Sequence, residues 1–229
     1  MLKKLQCLSG NTLKLLAMVF MTLDHVGLML FPSVLWLRIV GRLAMPIFAF
    51  MIAEGCTYTK NRRKYLLTVV FFAAVCQLVY LVVMRSVYQC ILVTFAMSIS
   101  LIFLLDHAEK NRSVFGWLLF AAAYGAVAAV CFLGPRLIPG FRIDYDLWGV
   151  SLPLLIYTGK SRSARLVMAA CGMILLSHFL GWIQWYCLLA LPLLMLYNGE
   201  RGKWRMKYFF YLYFPLHLAI LSGISILIA

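Results

Sequence analysis

Long apolar runs with almost no charges recur along the chain, and they constrain its fold more than any other feature. The sequence has 229 residues, of which 65% are hydrophobic and only 12% are charged. A soluble core of this size cannot hide so much apolar surface, and apolar runs of about 18 residues or more are typical of membrane-spanning helices. The runs are continuous and do not alternate as barrel strands do. The sequence therefore predicts an all-α, polytopic transmembrane helical bundle.

Nine apolar runs are separated by short polar or basic connections. Backbone groups in lipid must hydrogen-bond within their own segment, so each run is predicted to be helical. Run six is short, and only residues 181–182 separate run seven from run eight. We predict one transmembrane domain over residues 1–229, with helices near 12–31, 34–55, 65–84, 88–105, 114–133, 145–158, 165–180, 183–197 and 208–228.

Lysine and arginine are concentrated in alternate connections, and this asymmetry predicts the orientation. Basic proteins often bind nucleic acid, but the basic residues behind the net charge of +14 lie in short loops between apolar runs, as orientation signals do, so no nucleic-acid role is expected. The opposite set of ends holds only Arg85, Arg136 and Arg142. The N-terminus and the following residues are therefore predicted to face the cytoplasm: Lys3, Lys4, Lys60, Arg62, Arg63, Lys64, Lys110, Arg112, Lys160, Arg162, Arg165, Arg201, Lys203, Arg205 and Lys207.

A few ionisable residues interrupt the apolar runs, and such residues are costly in a membrane and mark functional sites. Asp24 and His25 lie in the first run, Arg42 in the second and His217 in the ninth. Helical rise puts His25 and Arg42 at one level of the outer half of the membrane. Asp24 and His25 point about 100° apart on a helix, so Asp24 is predicted to pair with Arg42 or Arg38, leaving His25 to face a cavity. The alternatives are a purely structural ion pair and histidines that only fill space.

Other polar residues lie at the predicted membrane boundaries. Asp144 and Tyr145 stand at the outer entrance of helix six, and Glu54 lies at the cytoplasmic end of helix two. No metal-ligand spacing is present, so no metal is expected. The basic cytoplasmic residues serve either as orientation signals or as a rim that binds phosphate groups. The candidates for such a rim are Lys60, Arg62, Arg63, Lys64, Lys203, Arg205 and Lys207.

Several motifs together resemble one known family. The opening run contains Leu-Lys-Leu-Leu-Ala-Met (13–18) and Met-x-x-Asp-His-x-Gly (21–27). The later motifs are Gly-Arg-Leu-Ala-Met-Pro-Ile-Phe-Ala-Phe (41–50), Ala-Glu-Gly-Cys-Thr-Tyr-Thr-Lys-Asn (53–61), Ile-Asp-Tyr (143–145), Tyr-Asn-Gly (197–199) and Lys-Tyr-Phe-Phe-Tyr-Leu-Tyr-Phe-Pro-Leu-His-Leu (207–218). In this order they resemble the TraX family across nearly the whole chain.

The resemblance implies an integral membrane acyltransferase of a bacterial inner membrane, related to proteins associated with acetylation of the pilin N-terminus. The implied donor is acetyl-CoA, with its phosphates on the basic cytoplasmic residues. The acceptor would be a peptide N-terminus, a sugar, a lipid or a small amine, and the residues expected to bind it are Asp144, Tyr145 and Glu54. His25 is expected to be the general base, Arg42 to stabilise the oxyanion, and His217 to be a second base or relay. The alternatives are a proton-coupled transporter and a non-catalytic membrane component of a conjugation or secretion system.

Overall fold

The computed structural model describes residues 6–203 and 206–228, and it is an all-α protein. Each of the nine predicted helices has a helical counterpart, so the predicted fold is confirmed. Within the described ranges, seven segments are long and apolar enough to cross a membrane. The helices are α1 (Gly10–Met29), α2 (Leu35–Gly41), α3 (Ala44–Tyr58), α4 (Arg62–Val82), α5 (Ile91–Asn111), α6 (Val114–Leu137), α7 (Asp146–Thr158), α8 (Arg162–Leu180), a 3₁₀ helix (Trp182–Leu189), α9 (Ala190–Met195) and α10 (Lys207–Ile228).

The chain forms two compact units. Unit 1 comprises the described residues within Met1–Met51 and Gly159–Ala229, and unit 2 comprises Ile52–Thr158. Unit 1 therefore contains α1, α2, the first part of α3, and all helices from α8 onward. Unit 2 contains the end of α3 and helices α4 to α7.

The second predicted helix is divided in the structure. It was expected near 34–55, but α2 ends at Gly41 and α3 begins at Ala44. Pro46 explains the break, because its ring would clash with the carbonyl group of the residue four positions earlier, which is Arg42. In the first turn of α3 the missing N–H of proline costs nothing, since that group has no helical partner. The break leaves Arg42 immediately after the end of α2.

In unit 1, α1 packs closely on α2 through glycines. A Cβ on Gly27 would lie 2.8 Å from the Cβ of Leu37, and one on Gly41 would lie 2.7 Å from the Cα of Asp24. Small residues at such contacts let helix backbones approach in a membrane. On another side, α1 runs parallel to α10, with Thr22 next to Tyr213 and Met29 next to Ser225.

The predicted eighth helix is an unusual segment of unit 1. Gly181, with a φ of 99°, ends α8, and the chain returns through the 3₁₀ helix and α9. Arg162, at the start of α8, donates a hydrogen bond of 2.8 Å to the carbonyl of Met195, so the two arms end together. The 3₁₀ geometry explains why the shorter returning segment reaches so far, because a 3₁₀ helix rises more per residue than an α-helix. The 3₁₀ helix and α9 together are about 25 Å long, and α8 is about 28 Å long.

In unit 2, α5 packs against α4, α6 and α7. Its faces bury Ile99, Leu101 and Ile102, whereas α6 leaves many large apolar side chains exposed, among them Phe115 and Leu137. Such an apolar surface is what lipid contact requires, because no water is present there to favour polar residues. The charged side chains of the unit lie in its loops and near the ends of its helices.

Candidate active site

The carboxylate of Asp24 binds two arginines in the interior of unit 1. Its Oδ2 forms ion pairs with Nη1 of Arg38, at 2.9 Å, and with Nη2 of Arg42. Arg38 Nη1 also donates to the backbone oxygen of Asp24 at 3.1 Å. The side chains of Asp24 and Arg42 are only 11% and 10% exposed. The predicted pairing is confirmed, and with both arginines rather than one, so the cluster carries one net positive charge.

The position of this cluster follows from the local fold. Gly41 has no side chain, and this lets α2 approach α1 at Asp24. The break after α2 then directs Arg42 back towards the same carboxylate, while Arg38 reaches it from one helical turn earlier. A glycine, an aspartate and a proline-induced break in the sequence therefore cooperate to bury Arg42, and to bury Arg38 in part, beside one anion.

Gln184 extends the cluster to the 3₁₀ helix. Its Oε1 accepts a hydrogen bond from Nη1 of Arg42 at 3.3 Å. The backbone of Gln184 is held as well, since its N–H donates to Gly181 O at 3.0 Å and its carbonyl accepts from Ser177 Oγ at 3.0 Å. Gln184 is 2% exposed, and its side chain also forms a hydrogen bond with the thiol of Cys187.

His25 and His217 contact each other between α1 and α10. Nδ1 of His25 lies 2.8 Å from the carbonyl oxygen of Met21 and 3.3 Å from Nε2 of His217. Nδ1 of His217 lies 3.0 Å from the carbonyl oxygen of Tyr213. A carbonyl oxygen only accepts, so Nδ1 carries the proton in both neutral rings. The proton of His25 is thus shared between Met21 O and His217 Nε2, and neither bond uses Nε2 of His25.

The histidine pair has aromatic and hydroxyl neighbours. The ring of Tyr213 stacks on that of His217, with centroids 5.2 Å apart and planes 9° from parallel. The hydroxyl of Tyr213 lies 2.6 Å from Oγ1 of Thr22. Because Thr22 donates its own proton to Met18 O, at 2.9 Å, it accepts from Tyr213. Each ring of the pair is therefore fixed by contacts from both helices.

A second polar cluster lies in unit 2, near the N-terminal ends of α5 and α7. Asp144 Oδ1 accepts from the hydroxyl of Tyr88 at 2.7 Å, and its backbone oxygen accepts from Thr94 at 2.8 Å. Burial, together with the charge of Asp144, raises the pKa of Tyr88, so its hydroxyl remains a donor at neutral pH. Tyr145 and Asp146 have positive φ angles of 60° and 49°. Asp144 and Tyr145, which were predicted to bind the acceptor, thus belong to unit 2, whereas His25 and His217 belong to unit 1.

The remaining predicted residues lie near the ends of helices in both units. Glu54 is buried in α3, whereas Lys60, Arg63, Lys64 and Lys203 are exposed. Arg62 forms an ion pair with Asp106, and its guanidinium lies 5.0 Å from the centre of the Phe103 ring. Nζ of Lys110 also lies 3.1 Å from the carboxylate of Asp106. Arg205, like Lys3 and Lys4, lies outside the described residues, as does the side chain of Lys207. Arg62 therefore has a structural partner of its own, whereas the exposed lysines are accessible to solvent.

Comparison with known families matches residues 9–225 to the family model described as TraX protein. The chain belongs to the TraX family. It is also 26% identical to the probable fimbrial assembly protein FimC, serogroup H1, of Dichelobacter nodosus, over 94% of this chain and 95% of that protein. A segment of 40 residues is 52% identical to an uncharacterized protein of Rickettsia prowazekii, covering 18% of this chain and 16% of that protein. No solved structure matches the chain.

This TraX protein is thus a multi-pass membrane protein, and the matched range includes both histidines, the Asp24 cluster and the Asp144 cluster. Sequence reasoning missed Gln184, because it considered only ionisable groups within the apolar runs. One signal could have found it. Gln184 is an amide within the otherwise apolar segment Trp182–Met195, where a polar side chain needs a hydrogen-bond partner.

Proposed function

We propose that this TraX protein is an acyltransferase of a bacterial inner membrane, which moves an acetyl group from acetyl-CoA to an amine or hydroxyl acceptor. One observation carries the proposal. The proton of His25 Nδ1 is held by Met21 O and His217, so Nε2 bears a lone pair that can accept a proton. This is the tautomer that a general base requires, with the other ring nitrogen oriented by a carbonyl group.

The proposed reaction is a direct transfer. Nε2 of His25 takes the proton of the acceptor as the acceptor's nitrogen or oxygen attacks the thioester carbonyl carbon. The carbonyl electrons move onto oxygen, giving a tetrahedral oxyanion. When the oxyanion collapses, the carbon–sulfur bond breaks, and the thiolate of CoA leaves with the electron pair. The thiolate then receives the proton from His25, and the products are the acetylated acceptor and CoA.

The arginines of the Asp24 cluster have a separate role in this proposal. Asp24 is engaged by Arg38 and Arg42, so it does not orient the imidazole of its neighbour His25. The cluster instead brings a net positive charge into the interior of unit 1. Fixed positive groups in a water-poor site stabilise negative charge that develops on oxygen in the transition state. We assign this electrostatic role to Arg42, which is the more deeply buried of the two arginines.

The substrates are assigned by charge and by relatives. CoA is anionic, and the exposed Lys60, Arg63, Lys64 and Lys203 are suited to its phosphates. Asp144 and Tyr145 are assigned to the acceptor, for which a carboxylate would attract an amine. The printed name of the Dichelobacter nodosus relative concerns fimbrial assembly, and this supports the N-terminus of a pilin as one acceptor.

The test is acetyl transfer by purified protein in lipid nanodiscs, with acetyl-CoA labelled in its acetyl group and membrane extracts as acceptors. We expect His25→Ala to reduce the rate by about a hundredfold to ten-thousandfold, as removal of a general base does. His178→Ala is the matched control, because His178 is exposed at the end of α8, and it should retain the wild-type rate.

Binding is measured separately from chemistry. Acetyl-CoA should raise the melting temperature of both the wild type and His25→Ala, and free adenine nucleotides should raise it less. A wild-type protein that neither binds acetyl-CoA nor transfers its label would refute the acyltransferase proposal. A folded His25→Ala variant with full activity would remove His25 from the reaction and leave the enzyme class standing.

A further inference from the structure

Lys14 is a cation of the first spanning helix that has no counter-charge. It lies about one turn inside α1, which begins at Gly10, and its side chain is only partly exposed. Its Nζ lies 5.5 Å from the centre of the Phe210 ring of α10. Among the residues that the structure describes, no carboxylate forms an ion pair with Lys14. Because a cation within a membrane helix is costly, such a residue needs a partner or a function.

Arg201 brings a second positive charge to the same place. The carbonyl groups of residues 200 and 201 accept hydrogen bonds of 2.7 and 3.0 Å from the N–H groups of Gly10 and Asn11, so this loop lies against the first turn of α1. The guanidinium of Arg201 repels the ammonium of Lys14, and no carboxylate of the described chain pairs with either group. An anion bound between two like charges would relieve their repulsion. The pair is therefore a candidate anion site, at the end of unit 1 that is predicted to face the cytoplasm.

The position of Lys14 relative to His25 indicates which anion fits. The two residues are eleven positions apart on α1, so they lie on the same face of the helix and about 16 Å apart along its axis. On α10, Phe210 contacts Lys14, and Phe214 lies edge-on to the His25 ring with centroids 6.4 Å apart. One seam between α1 and α10 thus leads from this cation to the proposed base.

We propose that Lys14 and Arg201 bind the diphosphate of acetyl-CoA, so that its thioester reaches His25. This inference rests on the proposed acyltransferase function and names two residues that bind the donor. The pantetheine arm between diphosphate and thioester has about as many bonds as four extended residues, so it is about 15 Å long and matches the separation of Lys14 and His25. Met18 and Met21 occupy this face of α1 between them, and their unbranched side chains adapt to a neighbour more readily than branched ones.

The experiment compares two acetyl donors with the protein in nanodiscs: acetyl-CoA, and S-acetylpantetheine, which keeps the arm and the thioester but lacks the diphosphate. Lys14→Gln should raise the KM for acetyl-CoA about tenfold to a hundredfold, as loss of a charge-assisted hydrogen bond does, with kcat nearly unchanged. The KM for S-acetylpantetheine should equal that of the wild type. Lys110→Gln is the matched control, because Lys110 pairs with Asp106 in unit 2, and it should keep the wild-type KM for both donors.

Arg201→Gln is a second variant, which does not depend on a change inside a helix, because Arg201 is exposed. It should raise the KM for acetyl-CoA in the same direction and leave that for S-acetylpantetheine unchanged. Without donor, the melting temperature of Lys14→Gln should not fall, because the substitution removes a repulsion between like charges.

Three results would overturn the inference and leave the acyltransferase proposal intact. The first is a wild-type KM for acetyl-CoA in both variants. The second is an equal rise in KM for the two donors, because the diphosphate would then not be what these residues bind. The third is a Lys14→Gln variant that keeps its KM but is no longer stabilised by added phosphatidylglycerol, which would assign the site to a lipid phosphate. A wild type that transfers acetyl from neither donor would instead refute the proposed function.

Discussion

The two units differ in how completely their buried polar groups are hydrogen-bonded. In unit 2, Thr94, Ser98 and Ser151 are all buried, and each hydroxyl donates to a backbone carbonyl at 2.8 to 3.0 Å. In unit 1, Asp24 Oδ1 and Ser222 Oγ are buried without a hydrogen-bond partner in the protein. Among the described residues, no such atom occurs in unit 2.

The ion pairs of the two units also differ, because the paired side chains are more exposed in unit 2 than in unit 1. Asp106 of unit 2 binds Arg62 and Lys110, whose side chains are 37% and 68% exposed. Asp24 of unit 1 binds Arg38 and Arg42, whose side chains are 21% and 10% exposed. Natural proteins depart from full polar satisfaction chiefly at functional sites. The comparison therefore teaches that the buried hydroxyl groups of unit 2 are satisfied within the protein, whereas unit 1 keeps buried polar atoms that are not.

The largest expected effect comes from neutralising the two aspartates in turn. Asp24→Asn removes the carboxylate charge that pairs with the buried Arg42 and with Arg38, and it should lower the free energy of unfolding by about 3–5 kcal/mol. Asp106→Asn should lower it by about 1 kcal/mol, because Arg62 and Lys110 reach solvent. Reversible unfolding in mixed detergent micelles measures both. Equal losses would show that the two ion pairs are alike and would break the comparison.

A smaller effect is expected from glycine replacements. Gly41→Ala places a methyl group 2.7 Å from the Cα of Asp24, and such overpacking should lower the free energy of unfolding by about 1–3 kcal/mol. Gly125→Ala of unit 2 is the control, since nothing lies within 4 Å of the added carbon. It should leave stability unchanged or raise it by up to about 1 kcal/mol. A Gly41→Ala variant as stable as the control would argue against the close approach of α1 and α2.

The smallest effect separates two buried serines. Ser98→Ala removes hydrogen bonds to Thr94 O and Val150 O and should lower the free energy of unfolding by about 1 kcal/mol. Ser222→Ala removes a hydroxyl that has no partner in the protein, and it should change stability by less than about 0.5 kcal/mol. The same unfolding assay serves both. A larger loss for Ser222→Ala than for Ser98→Ala would reverse the comparison.

Much of this architecture was readable from local sequence. Continuous apolar runs predicted the helices, and the adjacency of Asp24 and His25 predicted that the carboxylate would turn to an arginine rather than to the imidazole. The break at Arg42 was missed although Pro46 signals it. The contact between His25 and His217 was not predictable in detail, because it depends on how α1 and α10 pack, and residues 192 positions apart carry no local signal.

The 3₁₀ helix before α9 determines the direction of Gln184. Gln184, Cys187 and Ala190 are buried at intervals of three residues, which is the period of a 3₁₀ helix. Rewinding Trp182–Leu189 into α geometry would shorten it by about 4 Å and rotate Gln184 by about 120° relative to Ala190. The carboxamide would then point away from Arg42. A change from 3₁₀ to α geometry over eight residues, without any movement of whole helices, would thus break the hydrogen bond between Gln184 and Arg42.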